Sequence, residues 1–390
     1  MWRIVVADFS GKLIYFATAV TFCSLYAAQP IQPLFQAEFQ LSGFQAILFT
    51  ALMMAPLGVA PLFYGFLLEA FSARKMVRWA LFLLGILEIL FSFSGNYITL
   101  LAIRAVQGCL VPAILTSIMS YISYSNRDDT VQQAIASYIG ATIAGGFLGR
   151  FLSGLFTDLF GWRFFFFLLG ILLIICSYLL KGMVRDVKLN YVRPRPKDML
   201  DILSQRSFLW LYLTIFCLFF AFAAMMNLLP FELKQIRPDI GETSIGLLYL
   251  GYSMGILVSL NSKRIIAFFG GEVNAIRGGI FVLAGGTLLF FMQNYTVMFL
   301  SMFVFCAGLF TAHSLLSGFL STIAKTNKAI ANGLYISFYY TGGTLGSLLP
   351  GAIYEAWGWH AFLSFLLVLI SVACLFTWFL KKAVVSTVPH

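Results

Sequence analysis

The sequence predicts an all-α membrane protein with twelve transmembrane helices arranged as two parallel six-helix repeats. Its composition, the length of its apolar segments and an internal repeat predict this fold. Of the 390 residues, 61% are hydrophobic and only 10% are charged, whereas soluble domains carry roughly 25% charged residues. The mean hydropathy is +0.92. This composition excludes a water-soluble protein. Because the basic residues are scattered between apolar segments, it also argues against nucleic-acid binding.

Twelve apolar segments are long enough to cross a bilayer, which takes about 20 residues. Lipid offers the backbone no hydrogen-bond partners, so each segment is expected to be helical. The first is too long for the core of a signal peptide and is expected to be retained. In chain order the segments, called spans one to twelve below, cover residues 13–35, 43–68, 76–94, 97–121, 131–156, 162–181, 208–231, 243–266, 275–293, 297–322, 328–354 and 360–380.

An internal repeat indicates how the spans are grouped. Residues 138–166 align with residues 335–363 without a gap, at an offset of 197, and 11 of the 29 positions are identical, including five glycines and one tryptophan. The offset is close to half the chain length, so it predicts two tandem halves of six spans each. Six spans return the chain to its starting side, and the two repeats therefore run parallel.

The longest connection separates these halves. It covers residues 182–207, is basic and contains two prolines. We predict an N-terminal six-helix bundle at residues 1–181, a cytoplasmic linker at 182–207 and a C-terminal six-helix bundle at 208–390.

The basic residues predict the orientation. With both termini in the cytoplasm, twenty Lys and Arg residues fall on the cytoplasmic side and three on the outer side. This asymmetry follows the positive-inside rule and predicts a multi-pass protein of the bacterial inner membrane with both termini cytoplasmic. The six cysteines all fall within apolar segments and none forms a CxxC pair, so we expect neither a metal site nor a cofactor.

A loop between spans two and three carries a charged motif, Gly65-Phe-Leu-Leu-Glu69-Ala-Phe-Ser72-Ala-Arg74-Lys75. It resembles the cytoplasmic-loop signature of the major facilitator superfamily, with Glu69 where the family usually has Asp. In that family the loop gates the inner side through charge contacts. The resemblance therefore implies that Glu69, Arg74 and Lys75 form a cytoplasmic gate.

Two further segments extend this resemblance over the whole chain. Leu101-Ala-Ile-Arg104-Ala-Val-Gln107-Gly108 is similar to the fourth-helix signature of the superfamily, and the glycine-rich residues 145–154 resemble the fifth-helix signature of its antiporters. Leu25-Tyr26-Ala-Ala-Gln29-Pro30-Ile-Gln32-Pro33 resembles the YnfM-like (arabinose-efflux-like) group. The resemblance implies the major facilitator fold and membership of the drug:proton antiporter branch.

Ionisable side chains inside a membrane are costly and often functional. Glu88 in span three and Arg104 in span four both lie about 9–10 Å below the outer boundary at 1.5 Å per residue, so we predict that they pair. Glu88 either takes part in proton coupling or belongs to a structural ion pair. Arg104 and Arg150 either bind an anionic or carboxylate-bearing substrate or organise the helices. His313 in span ten either handles protons and substrate or is a structural, hydrogen-bonded residue.

Polar and aromatic side chains of the spans complete the predicted substrate site. Aromatic walls with a few hydrogen-bonding groups suit an amphipathic ligand, although for each of these residues taken alone helix packing is the favoured role. With Arg104, Arg150 and His313, the predicted substrate-binding residues are Tyr26, Gln29, Gln32, Gln107, Asn227, Tyr252, Tyr335 and Tyr339.

These observations predict a secondary active transporter of a small organic solute that works by alternating access, with proton-coupled efflux as its mode. Uptake or facilitated diffusion of a small, possibly anionic metabolite is the alternative. An enzyme is not expected, because the three histidines are far apart in sequence and no GxxxxGK phosphate loop occurs. The expected partners are a small-molecule substrate, protons and the lipid bilayer, and we expect a monomer.

Overall fold

The computed structural model describes residues 2–63, 72–125, 131–182, 196–324 and 327–385. Within these ranges the chain is helical and contains no strand. Three short 3-10 turns, Leu180–Gly182, Tyr249–Tyr252 and Phe290–Met292, interrupt the α-helices. The α-helices are α1 (Trp2–Tyr26), α2 (Gln32–Phe39), α3 (Gly43–Phe63), α4 (Ala73–Phe93), α5 (Tyr97–Ser125), α6 (Val131–Phe160), α7 (Trp162–Leu179), α8 (Pro196–Ser204), α9 (Arg206–Ile236), α10 (Glu242–Leu248), α11 (Ser253–Leu260), α12 (Ser262–Phe269), α13 (Glu272–Leu289), α14 (Tyr295–Ile323), α15 (Lys328–Leu348) and α16 (Pro350–Val385).

The helices account for the predicted spans. In the described part of the chain, ten helical segments are long and apolar enough to cross a membrane. Helix α1 adds the shorter apolar stretch Lys12–Tyr26, and α15, with 21 residues, occupies the position of span eleven. The predicted all-α membrane architecture is therefore confirmed.

Two spans are less regular than the sequence suggested. Span one was predicted to reach residue 35, but α1 ends at Tyr26 and a short helix begins at Gln32. Pro30 and Pro33 lie at this break, and proline removes a backbone donor that a continuous helix needs. Span eight, predicted as one helix, is divided into α10, the 3-10 turn at Tyr249–Tyr252, and α11.

The chain divides into two compact units. The first comprises Met1–Arg193 together with Ile240–Leu247, and the second comprises Pro194–Asp239 and Leu248–His390. In the first unit α1 packs on α6 and α4 packs on α7. In the second unit α9 packs on α15 and α16, and α13 packs on α14. The predicted linker lies partly outside the described residues, and its described part contains α8.

Each unit contains the same close helix contact at the same repeat position. In the first, a β-carbon added at Gly149 of α6 would lie 2.5 Å from the Cα of Cys23 in α1. In the second, a β-carbon at Gly346 of α15 would lie 2.1 Å from the carbonyl oxygen of Phe220 in α9. Gly346 lies 197 residues after Gly149, and Phe220 lies 197 residues after Cys23. The repeat is therefore a repeat of helix packing, in which small residues allow close approach.

The repeat also sets a helix boundary. Gly161, at the start of α7, has φ +85°, and Gly358, 197 residues later, has φ +77°. This left-handed conformation favours glycine. In the first unit it separates α6 from α7, and in the second it introduces a kink within α16. Helix α16 thus combines the end of span eleven with span twelve.

Asp158 holds the start of α10 within the first unit. Its Oδ1 accepts the backbone N–H of Glu242 at 3.0 Å. Its Oδ2 accepts the backbone N–H of Thr243 at 2.8 Å and the Thr243 hydroxyl at 2.6 Å. A carboxylate at a helix start satisfies donors that have no partner inside the helix and interacts favourably with the helix dipole. Asp158 therefore anchors residues 240–247 on α6.

We expect Asp158→Ala to loosen this anchor. Loss of an N-terminal capping side chain costs about 1 kcal/mol, which corresponds to roughly fivefold faster exchange of the amides it held. Hydrogen–deuterium exchange of the peptide that contains Glu242 and Thr243 measures this change. The matched control is Glu355→Ala, because Glu355 is the repeat equivalent of Asp158 and is exposed. Equal exchange in wild type and D158A would show that the contact contributes nothing.

Candidate functional site

The predicted ion pair between Glu88 and Arg104 forms in the first unit. Arg104 Nη1 lies 3.6 Å from Glu88 Oε1, and both side chains are completely buried. The Ser24 hydroxyl of α1 donates to the same carboxylate oxygen. Helix α4 supplies the acid and α5 the base, and the short connection between them brings the two together. The pair thus joins three helices at one point.

The rest of the Arg104 guanidinium is enclosed by polar and aromatic groups. Nη1 also donates to Gln107 Oε1 at 3.1 Å and to the Ser24 carbonyl at 3.3 Å. Nε and Nη2 have no hydrogen-bond acceptor among the described residues. Instead, the guanidinium carbon lies 4.3 Å from the ring centroid of Phe91 and 4.9 Å from that of Phe166. Cation–π contact with these rings offsets part of the cost of burial.

A second buried arginine lies between α1 and α6. Arg150 Nε donates to Gln29 Oε1 at 2.6 Å, and Nη1 donates to the Gly146 carbonyl at 2.7 Å. The guanidinium carbon lies 4.0 Å from the ring centroid of Tyr26. Three of the predicted substrate-binding residues, Tyr26, Gln29 and Arg150, therefore form one cluster. Gln32 is not part of these contacts and instead donates to the Thr50 hydroxyl at 2.9 Å.

The second unit has a neutral bond at the repeat-equivalent place. Asn227 Nδ2 donates to Ser347 Oγ at 2.9 Å. Ser347 is 197 residues after Arg150, and Asn227 is 197 residues after Pro30, the neighbour of Gln29. The first bond links α6 to the turn that follows α1, and the second links α15 to α9. The repeat thus keeps a polar link at this position but carries a charge in the first unit only.

His313 lies in an aromatic cluster of the second unit. Its Nδ1 is 2.8 Å from the Tyr335 hydroxyl, and that hydroxyl donates to the His313 carbonyl at 3.1 Å. The Tyr339 ring lies 4.7 Å from the imidazole and 3.6 Å from Phe219, measured between centroids.

The two units differ in how accessible these residues are. Glu88, Arg104, Gln107 and Arg150 are buried in the first unit, whereas His313 and Tyr339 of the second are only half-buried. Tyr252, also in the second unit, is buried against Phe222 and Phe310. Within the histidine cluster, His313 and Tyr339 are therefore partly exposed, while Tyr335 is buried.

Sequence reasoning missed one buried acid, Glu232 near the end of α9. Its Oε1 accepts from Gln293 Nε2 at 2.5 Å and its Oε2 accepts from the Tyr354 hydroxyl at 3.0 Å. Predicted span seven ended at residue 231, one residue before Glu232. The signal that could have revealed it is the repeat, because its equivalent in the first unit, Phe35, was predicted to lie within span one.

The predicted cytoplasmic gate is only partly visible. Glu69 lies outside the described residues. Arg74 is half-buried and Lys75 is exposed at the start of α4. In the described part of the chain, no three His, Cys, Asp or Glu side chains come together in a way that could hold a metal ion.

The chain is similar to known membrane transporters over almost its whole length. It is 26% identical to the inner membrane transport protein YnfM of Escherichia coli over 385 residues, covering 96% of this chain and 89% of that protein. It is 22% identical to the multi-drug resistance efflux pump PmrA of Streptococcus pneumoniae over 392 residues, covering 94% of each. The fold matches that of the nucleoside transporter NupG with a TM-score of 0.76 at 13% identity, covering 96% of this chain and 99% of that one.

A family model matches most of the chain. Residues 14–326 match the model of the Major Facilitator Superfamily, which includes the helices that carry the two buried arginines and His313. Its relatives are transporters and not enzymes. This protein is therefore a membrane transporter and belongs to the Major Facilitator Superfamily.

Proposed function

We propose that the protein is a secondary active transporter that exports a small organic solute by alternating access in exchange for protons. The observation that carries this proposal is the buried Glu88–Arg104 pair. Protonation of Glu88 removes the negative charge that faces Arg104 and so changes the forces between α4, α5 and α1. A proton bound there would thereby alter helix packing in the first unit, as coupling requires.

The two clusters around Arg150 and His313 support a substrate that combines polar and aromatic character. Arg150 supplies a positive charge next to Tyr26, which favours an anionic or carboxylate group. His313 and Tyr339 offer an accessible imidazole beside stacked rings, which favours a flat, partly apolar group. Similarity to the efflux pump PmrA supports export as the direction. The predicted gate residues Glu69, Arg74 and Lys75 are proposed to control the cytoplasmic side, where both termini are placed by the positive-inside rule.

A carrier for uptake or facilitated diffusion of a small anionic metabolite is the second candidate. It is favoured by the two buried arginines of the first unit, Arg104 and Arg150. Positively charged side chains inside the spans attract anions without any need for protons.

One experiment in two stages separates these candidates. A thermal-shift screen of purified protein against metabolites and drugs identifies a ligand, because binding to the folded state raises the unfolding temperature. Flux of that ligand is then measured in proteoliposomes with and without an imposed pH gradient. Proton-coupled transport predicts that the gradient drives accumulation of the ligand. A flux that is indifferent to the gradient removes proton coupling and supports the facilitated carrier.

We expect His313→Gln to uncouple transport if His313 handles protons. Glutamine retains hydrogen-bonding capacity but cannot carry a proton charge, so accumulation driven by the pH gradient should fall to the level measured without a gradient, while exchange of labelled for unlabelled ligand continues. Both rates are measured in the same proteoliposomes.

The control is His360→Gln, since His360 is exposed and lies against Phe291, away from the Tyr335 cluster. If H313Q loses exchange and accumulation equally, His313 belongs to the substrate site and not to the proton path. If it loses neither, His313 is structural.

A further inference from the structure

The outer surface of the second unit contains a crevice between α13 and α16. Its volume is about 700 Å³, and its walls include Arg277, Phe281, Ala284, Ser371, Leu375 and Trp378. The Phe281 and Leu375 side chains are 65% and 50% exposed. Both helices are membrane spans, so the apolar walls of this crevice face lipid and not water.

One end of the crevice is cationic. Arg277 of α13 donates through Nε to Thr377 Oγ1 at 3.0 Å and through Nη2 to the Thr377 carbonyl at 3.1 Å. These bonds fix the guanidinium at the mouth of the crevice, and no hydrogen bond of its third nitrogen, Nη1, is found among the described residues. Lys381 and Lys382 lie in α16 one turn beyond Trp378, and Lys381 Nζ lies 3.3 Å from Asn274 Oδ1.

Trp378 also lies at the cationic end of the crevice. Lys382 Nζ lies 3.4 Å from the ring centroid of Trp378, and tryptophan is enriched at the headgroup level of membranes. The acids on these helices do not balance the charge, because α13 contains only Glu272 and α16 only Glu355, which lies at the opposite end of that helix. Three cations and a tryptophan thus surround the mouth of an apolar crevice.

The dimensions match a lipid entering from this end. Lining residues follow each other at helical spacing from Arg277 to Ala284 on α13 and from Trp378 to Ile370 on α16. At 1.5 Å per residue the crevice therefore extends roughly 10–12 Å from the cationic end into the apolar part of the unit. The positive-inside rule assigns this end to the cytoplasmic leaflet, which carries the anionic headgroups that basic pockets between spans recognise.

We propose that this crevice is a binding site for one anionic phospholipid of the cytoplasmic leaflet. Arg277, Lys381 and Lys382 bind its phosphate-bearing headgroup, and the wall formed by Phe281, Ala284 and Leu375 holds the upper part of an acyl chain. The site belongs to the second unit alone and does not depend on which solute is transported or on proton coupling.

Native mass spectrometry of the delipidated full-length protein tests this site. The probes are dioleoylphosphatidylglycerol, dioleoylphosphatidylcholine and inorganic phosphate. A basic residue near a membrane surface contributes about 1 kcal/mol to binding of anionic lipid, which is about fivefold in affinity. We therefore expect phosphatidylglycerol to bind at least fivefold more tightly than phosphatidylcholine. Inorganic phosphate should not compete with phosphatidylglycerol.

Two kinds of variant locate the site. Arg277→Gln and Lys382→Gln should each weaken phosphatidylglycerol binding about fivefold, while Arg237→Gln, on an exposed arginine of the same unit, should leave it unchanged. Ala284→Trp fills the crevice with all three cations in place, so it should abolish tight binding even if R277Q disturbs the contact with Thr377.

Four results would overturn the proposal. Equal binding of the two lipids would indicate ordinary solvation by lipid, and full competition by phosphate would indicate an anion site without a lipid. Unchanged binding in A284W would place the lipid elsewhere. Dimers that form only without added lipid, and that A284W abolishes, would assign this face to a second copy of the chain.

Discussion

Arg150→Ala is expected to lower the rate of transport at least about tenfold while leaving the amount of folded protein largely unchanged. The substitution removes a buried charge and its hydrogen bond to Gln29. A hydrogen bond to a charged group contributes about 1.5–3 kcal/mol, and about 1.4 kcal/mol corresponds to a factor of ten. The measurement is flux of the ligand from the thermal-shift screen into proteoliposomes, normalised to reconstituted protein.

Three further variants show whether a loss of transport in R150A is due to the charge of Arg150, its geometry or its bond to Gln29. Arg163→Ala is the control, because that arginine is 44% exposed and pairs with Glu38 at the surface. Arg150→Lys keeps the charge but not the planar fork, so a substrate that needs only a positive charge should still be carried. Gln29→Ala leaves the charge and its bond to the Gly146 carbonyl but removes the hydrogen bond from Nε. If R150A transports within twofold of wild type, Arg150 is a packing residue and the proposed anionic site is wrong.

Arg104→Met is expected to destabilise the protein by about 3–5 kcal/mol, because it leaves Glu88 buried without its counter-charge. The neighbouring groups, Ser24 and the rings of Phe91 and Phe166, cannot replace a cation. Replacing both members, as in the double variant E88Q/R104M, removes the uncompensated charge and should restore most of the lost stability. Reversible unfolding in detergent micelles measures the stability of both variants.

The double variant also decides between the two roles of Glu88. If the pair is structural, E88Q/R104M should recover both stability and accumulation driven by a pH gradient. If Glu88 carries the coupling proton, the variant should recover stability and ligand exchange but not gradient-driven accumulation. A double variant that is no more stable than R104M would contradict the electrostatic account of the pair.

Much of the fold could be predicted because a bilayer restricts the possible structures. Apolar segments of spanning length must be helical, and the 197-residue register of glycines reappears as the matched contacts of Gly149 and Gly346. What could not be predicted is where a span breaks. The turn at Tyr249–Tyr252 and the anchoring of α10 by Asp158 depend on contacts between residues distant in sequence, which composition and hydropathy do not encode.

The candidate site, like the fold, could be predicted only in part. Glu88 and Arg104 lie in consecutive spans at similar depth, so their pairing followed from helical geometry and is confirmed. Arg150 and Gln29 were both predicted to bind substrate, but the bond between them was not foreseen because 121 residues separate them. Glu232 was missed because predicted span seven ended at residue 231, whereas the helix continues to Ile236. The functional roles of these residues stay predictions.

The matched links at Arg150 and Ser347 bear on how such a chain can evolve. The two halves share one helix contact, in which the glycines set the distance between the helix backbones. The side chain next to each glycine is not part of that contact and can differ between the halves. The residue next to the glycine can then be substituted in one copy without a change in helix packing, as Arg150 in one half and Ser347 in the other illustrate. Duplication thus separates the part of the molecule that must stay constant from the part that can diverge towards a new cargo.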